Sequence, residues 1–152
     1  MNDIHFIDLE EAHLESCWRI VEELDQHYDH PIGGNWTREK LHDEICNHYG
    51  LGICDSEGEL HAFCLYRQFP ERREIMLLAT RPRHHRMGAM RALIRSFIDA
   101  SPADEPIWLE VHAGNLPAIG LYESLGFELC GERPCYYSDG AKALLYQYKR
   151  LR

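Results

Sequence analysis

Leu109-Glu110-Val111-His112-Ala113-Gly114-Asn115-Leu116-Pro117-Ala118-Ile119-Gly120-Leu121-Tyr122-Glu123-Ser124-Leu125-Gly126-Phe127 has the pattern of a short apolar strand holding one carboxylate, then a turn, a helix and a Gly-Phe stop. Asn115 is a capping residue type, and Pro117 suits the first helical turn, where a missing N–H costs nothing. A strand that points its last residues at a helix start is a common way to build a ligand crevice. This one offers Glu110, Asn115 and Tyr122 to the same opening.

Working outward, residues 4–9 predict a first strand. Residues 10–28 carry Leu14, Cys17, Trp18, Val21 and Leu24 at the 3.6-residue spacing of a half-buried helix. Pro31-Ile32-Gly33-Gly34-Asn35 breaks it, and a second helix begins near Thr37, whose hydroxyl can cap the first turn, and runs to about His48. Residues 51–55 and 60–68, joined by Ser56-Glu57-Gly58, have a hairpin signature. Residues 74–80 are nearly all apolar, as in a central strand covered on both faces. Residues 87–100 are helical, with Met90, Leu93, Ile94, Phe97 and Ile98 on one side. A strand at 107–111, a helix at 117–125 and strands near 128–132 and 143–149 complete the chain. The order β-α-α-β-β-β-α-β-α-β-β predicts a mixed α/β, or α+β, architecture with a central twisted, mostly antiparallel sheet and helices on both faces.

The 152 residues are expected to form one domain, 1–152, long enough to bury roughly 68–70% of the unfolded surface. No repeat or Pro/Gly/Ser-rich linker divides them. Apolar runs fall far short of the ~20 residues needed to cross a bilayer. Met1-Asn2-Asp3-Ile4-His5 lacks the basic-then-apolar pattern of a secretory signal. No membrane partner and a cytoplasmic location are therefore expected, as a monomer or homodimer. The six cysteines are scattered, without a CxxC pair, as reduced core cysteines are. Ten histidines raise the question of a metal, with His27-Tyr28-Asp29-His30 the best candidate. The reading adopted is surface and loop histidines with no metal site. A net charge of −9 argues against non-specific nucleic-acid binding and favours a cationic partner, such as an amine or basic peptide.

Arg81-Pro82-Arg83-His84-His85-Arg86-Met87-Gly88-Ala89-Met90-Arg91 begins with three arginines and two histidines in six residues, between a buried strand and a helix. Helix starts expose unpaired N–H groups and the positive dipole end, so they bind phosphate readily. Gly88 would let the backbone approach an anion. A solvated basic loop with a glycine in a turn explains the same residues. Glu110 in an apolar strand is either a structural carboxylate bonded to neighbouring backbone or to an arginine, or a base tuned by desolvation. Tyr122 lies on the helical stripe Ala118-Ile119-Tyr122-Leu125, where a tyrosine is more often core than catalytic. Asn115 is explained by helix capping alone.

Together these segments resemble the GNAT acetyltransferase family, and most closely its branch that acetylates ribosomal-protein N-termini. The likeness covers roughly residue 51 to the end; residues 1–50 match in element pattern only. It implies the acyl-CoA N-acyltransferase fold and acetyl-CoA as co-substrate. In the family a Pro-x-x-Gln/Arg-x-x-Gly-x-Gly/Ala segment cradles the pyrophosphate, which assigns that role to the backbone of Arg86, Met87, Gly88, Ala89, Met90 and Arg91. His85 and Met90 depart from the pattern: Gln or Arg is usual at the first position and a small residue at the second. The Met90 side chain would either crowd the phosphate or point into the core. Leu78, Ala79 and Thr80 match the strand edge that pairs with the pantetheine arm, and Asn115 matches the asparagine that contacts the cofactor.

Acetyl transfer to an amine needs an uncharged nitrogen, and at neutral pH amines are mostly or partly protonated. The resemblance makes Glu110 the general base, through water, and Tyr122 the acid at the CoA sulfur. Positioned groups of this kind are each typically worth about 10²–10⁴ in rate. Tyr136 and Tyr137, ahead of Asp139-Gly140, match a tyrosine pair near the acceptor peptide, although a pair packed on the sheet fits equally well. The acceptor expected is a peptide N-terminus or a small amine, with acidic residues around the site if it is a basic peptide. A non-catalytic acyl-CoA-binding module is the competing reading, carried only by His85 and Met90.

Overall fold

The computed structural model describes residues 3–27, 36–85 and 88–150. Seven strands, β1 Ile4–Asp8, β2 Tyr49–Asp55, β3 Leu60–Phe69, β4 Arg72–Thr80, β5 Ile107–His112, β6 Glu128–Arg133 and β7 Ala143–Tyr148, form one sheet. Four helices accompany them: α1 Leu14–His27, α2 Arg38–Asn47, α3 Ala89–Ala100 and α4 Leu116–Ser124. The element order is the one expected. A 3-10 turn at Glu11–His13 precedes α1, so the helix begins later than its apolar spacing suggested. The Pro31–Asn35 breaker and His30 lie outside the described residues.

Strand order is β1-β2-β3-β4-β5-β7-β6, antiparallel throughout except for the parallel pair β4–β5. β7 is thus inserted between β5 and β6, its nearest predecessors in the chain. α1 and α2 cover one face: Cys17, Ile20, Val21, Leu24, Leu41 and Ile45 pack on Phe63, Leu65, Leu77 and Ala79. On the other face Leu93, Ile94 and Phe97 of α3 pack with Ala62, Cys64, Ile107, Leu109 and Val111. Alternate residues of β3 therefore enter opposite cores, which explains why that strand is apolar at nearly every position.

Local chemistry sets the helix ends. The Thr37 hydroxyl accepts the Lys40 N–H at 3.1 Å, capping α2 as expected. At the end of α4, Gly126 sits at φ 100°. The Gly126 N–H donates to Glu123 O and the Phe127 N–H to Tyr122 O. This is a Schellman cap, and it is why the helix stops at Gly-Phe.

Candidate active site

β4 and β5 pair for only three rungs, Arg73–Ile107, Glu74–Trp108 and Ile75–Leu109. Beyond them β4 runs on to Thr80 beside β3, and β5 runs on to His112 beside β7. The cause lies in β4. Tyr66 faces Ile75 while Leu65 faces Leu77, so Met76 is an extra residue in the ladder. Met76 and Leu77 consequently pack toward the same core, whereas Ile75 and Leu78 pack toward the other. A bulge bends and twists its strand, and this one falls where the parallel pairing ends. The fork leaves the 76–80 edge of β4 unpaired on one side, and Leu78, Ala79 and Thr80 lie on it. The buried Thr80 hydroxyl has no hydrogen-bond partner among the described residues.

A cleft of about 320 Å³ opens at the fork, with Ile75, Met76, Leu109 and Glu110 in its wall. Trp108 and Glu110 face this cleft, while Ile107, Leu109 and Val111 face the core, as strand alternation requires. Glu110 is neither buried nor alone. Its carboxylate forms an ion pair with the Arg133 guanidinium, Oε1 3.1 Å from Nε, and its side chain keeps 31% of its exposure. Of the two readings the sequence left open, the surroundings are those of a paired, partly solvated carboxylate. Nor is the cleft acidic. Lys40, Arg72 and Arg133 line it against Glu74 and Glu110, and each carboxylate is paired with an arginine, Glu74 with Arg72 at 2.9 Å. Lys40 lies 4.7 Å over the Trp36 ring.

Tyr122 is buried in the second core, and burial, reinforced by Cys64 and Tyr137, pushes its phenol well above the usual tyrosine value. The phenol keeps its proton at neutral pH. Tyr137 is also buried, and burial followed by the charges of Glu110, Tyr136 and Asp139 pushes its pKa to about 12. Tyr136 is half-exposed, and burial and then Glu110 raise it too. The two tyrosine rings stand edge to face at 5.1 Å, and both line the cleft. The structure thus brings Glu110, Tyr136 and Tyr137 together, with Tyr122 within electrostatic reach of Tyr137.

At the other arm of the fork, Gly88 caps α3 at φ 80°, and no side chain caps that helix start. Among the described residues, chain neighbours aside, a Cβ placed on Gly88 would meet nothing within 4 Å. Ala89 is buried, and Met90 packs against the second core, so its side chain does not crowd the cradle. Arg91 donates to the Ser124 hydroxyl at 3.0 Å, tying the start of α3 to the end of α4. Arg86 and Met87 lie outside the described residues. His85 Nε2 lies 3.0 Å from the Thr80 carbonyl, and burial lowers its pKa, so it is held against β4 as a neutral ring. Asn115 Oδ1 accepts the Ala118 N–H at 3.4 Å, the helix-capping role.

Among the described residues, two side-chain groups have metal-ligand types. Glu59, His61 and His84 converge, but the two imidazoles are stacked at 3.6 Å and 11°. An ion lies in the plane of each ring that binds it, so a single ion cannot serve both. Arg81 and Arg83 also hold Glu59. Glu11, His42 and Cys46 converge at the surface, where Glu11 Oε1 pairs with His42 Nε2 at 3.0 Å. Among the described residues, no helix is long and apolar enough to cross a membrane.

Sequence reasoning missed Arg133, His112 and the cationic side of the cleft. His112 was within reach, because period 2 puts it on the face of Glu110. Arg133 was not, since it reaches Glu110 from β6 across the intervening strand β7.

Comparison with known proteins agrees with this geometry. The pattern of the Acetyltransferase (GNAT) family matches residues 11–127. The ribosomal protein bS18-alanine N-acetyltransferase of Escherichia coli (strain K12) is 37% identical over 87 residues, covering 55% of this chain and 59% of that protein. The match thus spans about three fifths of the length of that curated relative. A putative enzyme of the same description from Bacillus subtilis (strain 168) is 25% identical over 119 residues, 74% of this chain and 78% of that protein. The crystal structure of the Escherichia coli ribosomal-protein alanine N-acetyltransferase superposes with a TM-score of 0.84 at 25% identity, covering 99% of this chain and 97% of that one.

Proposed function

The chain belongs to the Acetyltransferase (GNAT) family, and from that premise we propose that it is an acetyl-CoA-dependent N-acetyltransferase whose acceptor is a protein N-terminus of the bS18 type. The observation that carries this reading is the fork. One bulge opens β4 from β5, and on its two arms stand an uncapped helix start and a carboxylate lining a cleft.

The residues present fit acetyl-CoA. Leu78, Ala79 and Thr80 would hold its pantetheine arm along the free strand edge. The amides from residue 86 to 91 would hold its pyrophosphate, at a helix start that no side chain caps. Asn115 would contact it while capping α4. When bound, acetyl-CoA supplies an acetyl group activated as a thioester.

Glu110 takes the proton of the acceptor ammonium, directly or through one water, and so frees the lone pair that the reaction needs. Arg133 must yield the carboxylate as the amine arrives. Tyr122 Oη holds a proton, kept there by burial, for the sulfur that leaves. Tyr136 and Tyr137 form the wall against which the acceptor lies. The charge of the cleft does not select a basic peptide, so the fit to an N-terminus rests on the relatives.

The test is release of free thiol from acetyl-CoA against peptides beginning with Ala, Ser or Met, and against spermidine and free amino acids. Turnover is expected with an Ala-initiated peptide. Turnover with small amines alone would move the acceptor class, and no turnover with tight CoA binding would favour a non-catalytic module.

A further inference from the structure

We propose that His112 is a positioning residue: with Asp139 it clamps the turn carrying Tyr137, so that the Tyr137 phenol stays at the cleft wall beside Glu110. The inference rests on the function proposed above.

His112 ends β5 on the same face as Glu110 and is 8% exposed. The Gly114 N–H donates to its Nδ1 at 2.8 Å, so that nitrogen carries no proton. The ring N–H is therefore on Nε2, which donates to Asp139 Oδ2 at 2.8 Å. The other oxygen of Asp139 accepts the Ala141 N–H at 2.9 Å. The Ala141 carbonyl accepts the N–H groups of both Tyr136 and Tyr137 at 3.1 Å. The Gly140 N–H closes the turn on the Tyr137 carbonyl at 2.9 Å. The His112 ring also packs on the Tyr137 ring, centroids 4.8 Å apart.

His112 thus joins three segments. Its backbone carbonyl accepts the Asn115 N–H at 2.9 Å, which sets the start of the helix that bears Tyr122. Its Nδ1 shapes the Gly114 turn, and its Nε2 holds the 136–141 turn. Both flanks of the reacting centre are referred to the end of β5, the strand that carries Glu110. Tyr137 lines the cleft wall with Glu110 and acts electrostatically on the Tyr122 phenol, so a shift of that turn changes the surroundings of both.

Three variants separate the two ends of the ring. His112→Gln keeps an N–H for Asp139, His112→Asn keeps an acceptor for Gly114, and His112→Ala keeps neither. With acetyl-CoA and an Ala-initiated peptide, His112→Ala is expected to lower kcat by ~10–100-fold, the scale of a misplaced catalytic wall. The KM for acetyl-CoA should stay within about twofold of wild type. His112→Gln should recover most of the loss and His112→Asn should not. On a Tyr137→Phe background His112→Ala should cost nothing further. An equal loss on both backgrounds overturns the proposal, as does a rise in the KM for acetyl-CoA with kcat unchanged. Amide hydrogen exchange gives a readout without substrate. His112→Ala should speed exchange at Tyr137 and Gly140, and unchanged rates also overturn the clamp. Faster exchange in a protein that acetylates none of the peptides or amines would reject the proposed function and leave the clamp standing.

Discussion

Ile75 and Leu109 form the last rung between β4 and β5, and their successors part company: Met76 bulges from the ladder and Glu110 enters the cleft. The sheet is continuous below this rung and divided above it. Everything proposed about the site depends on that division.

Deleting Met76 should remove the bulge while leaving residues 77–80 facing the cores they face now, because Met76 and Leu77 share a side. The variant is expected to unfold cooperatively and to bind CoA at least about tenfold more weakly, a change of ~1.4 kcal/mol. Calorimetry with CoA checks it; undiminished affinity would show that the bulge does not hold the fork open.

Glu110→Gln and Tyr122→Phe should each lower kcat by about 10²–10³. Tyr122→Phe keeps the buried ring, so its circular dichroism and melting curve should stay close to wild type. Full turnover by both variants would remove the acid–base assignment without touching family membership.

Gly88→Ala should weaken CoA binding through the backbone rather than through bulk. Among the described residues, chain neighbours aside, no atom lies within 4 Å of the new Cβ, yet φ is 80°, and the left-handed region costs a non-glycine residue ~1–2 kcal/mol. Gly126→Ala carries the same strain at φ 100°, with Tyr148 3.3 Å from the added carbon, and should lower stability instead. Chemical denaturation and CoA titration of the two variants should show these separate losses; a common phenotype would contradict the separation.

Alkaline pH should destabilise the fold. Burial raises the Cys17 thiol to about 12, and raises Cys64 and Tyr122 as well. In the unfolded chain cysteine ionises near ~8.5 and tyrosine near ~10. Below about pH 8 both states hold these protons and the groups contribute no pH dependence. As pH rises further the unfolded chain binds fewer protons than the folded one, so stability falls, by up to ~1.4 kcal/mol per unit for each such group. Urea midpoints from pH 7 to 10.5 test this. Cys64→Ala should flatten the decline, and an unchanged slope would show that Cys64 ionises normally in the fold.

Much of the fold was legible because its signals are local. Thr37 caps α2 three residues from its partner, and the Gly126 cap spans Tyr122 to Phe127. The apolar periods of α1 and α3 repeat within one or two turns. The candidate site was legible in residue identity and in role by resemblance, but its environment was not. Glu110 sat in an apolar pattern that left a paired and a desolvated carboxylate equally open, and alternation turns it outward to Arg133.

The sequence by itself determined the elements, their order and the residue types offered at the fork, since propensity, capping and periodicity act over a few neighbouring residues. Tertiary structure decided that β7 lies between β5 and β6, that Met76 rather than a neighbour bulges, and that Arg133 and Asp139 reach Glu110 and His112. Those outcomes depend on strand register and on which edge a returning strand finds. The Arg133–Glu110 and Asp139–His112 contacts join residues more than twenty positions apart, and no short-range pattern encodes them.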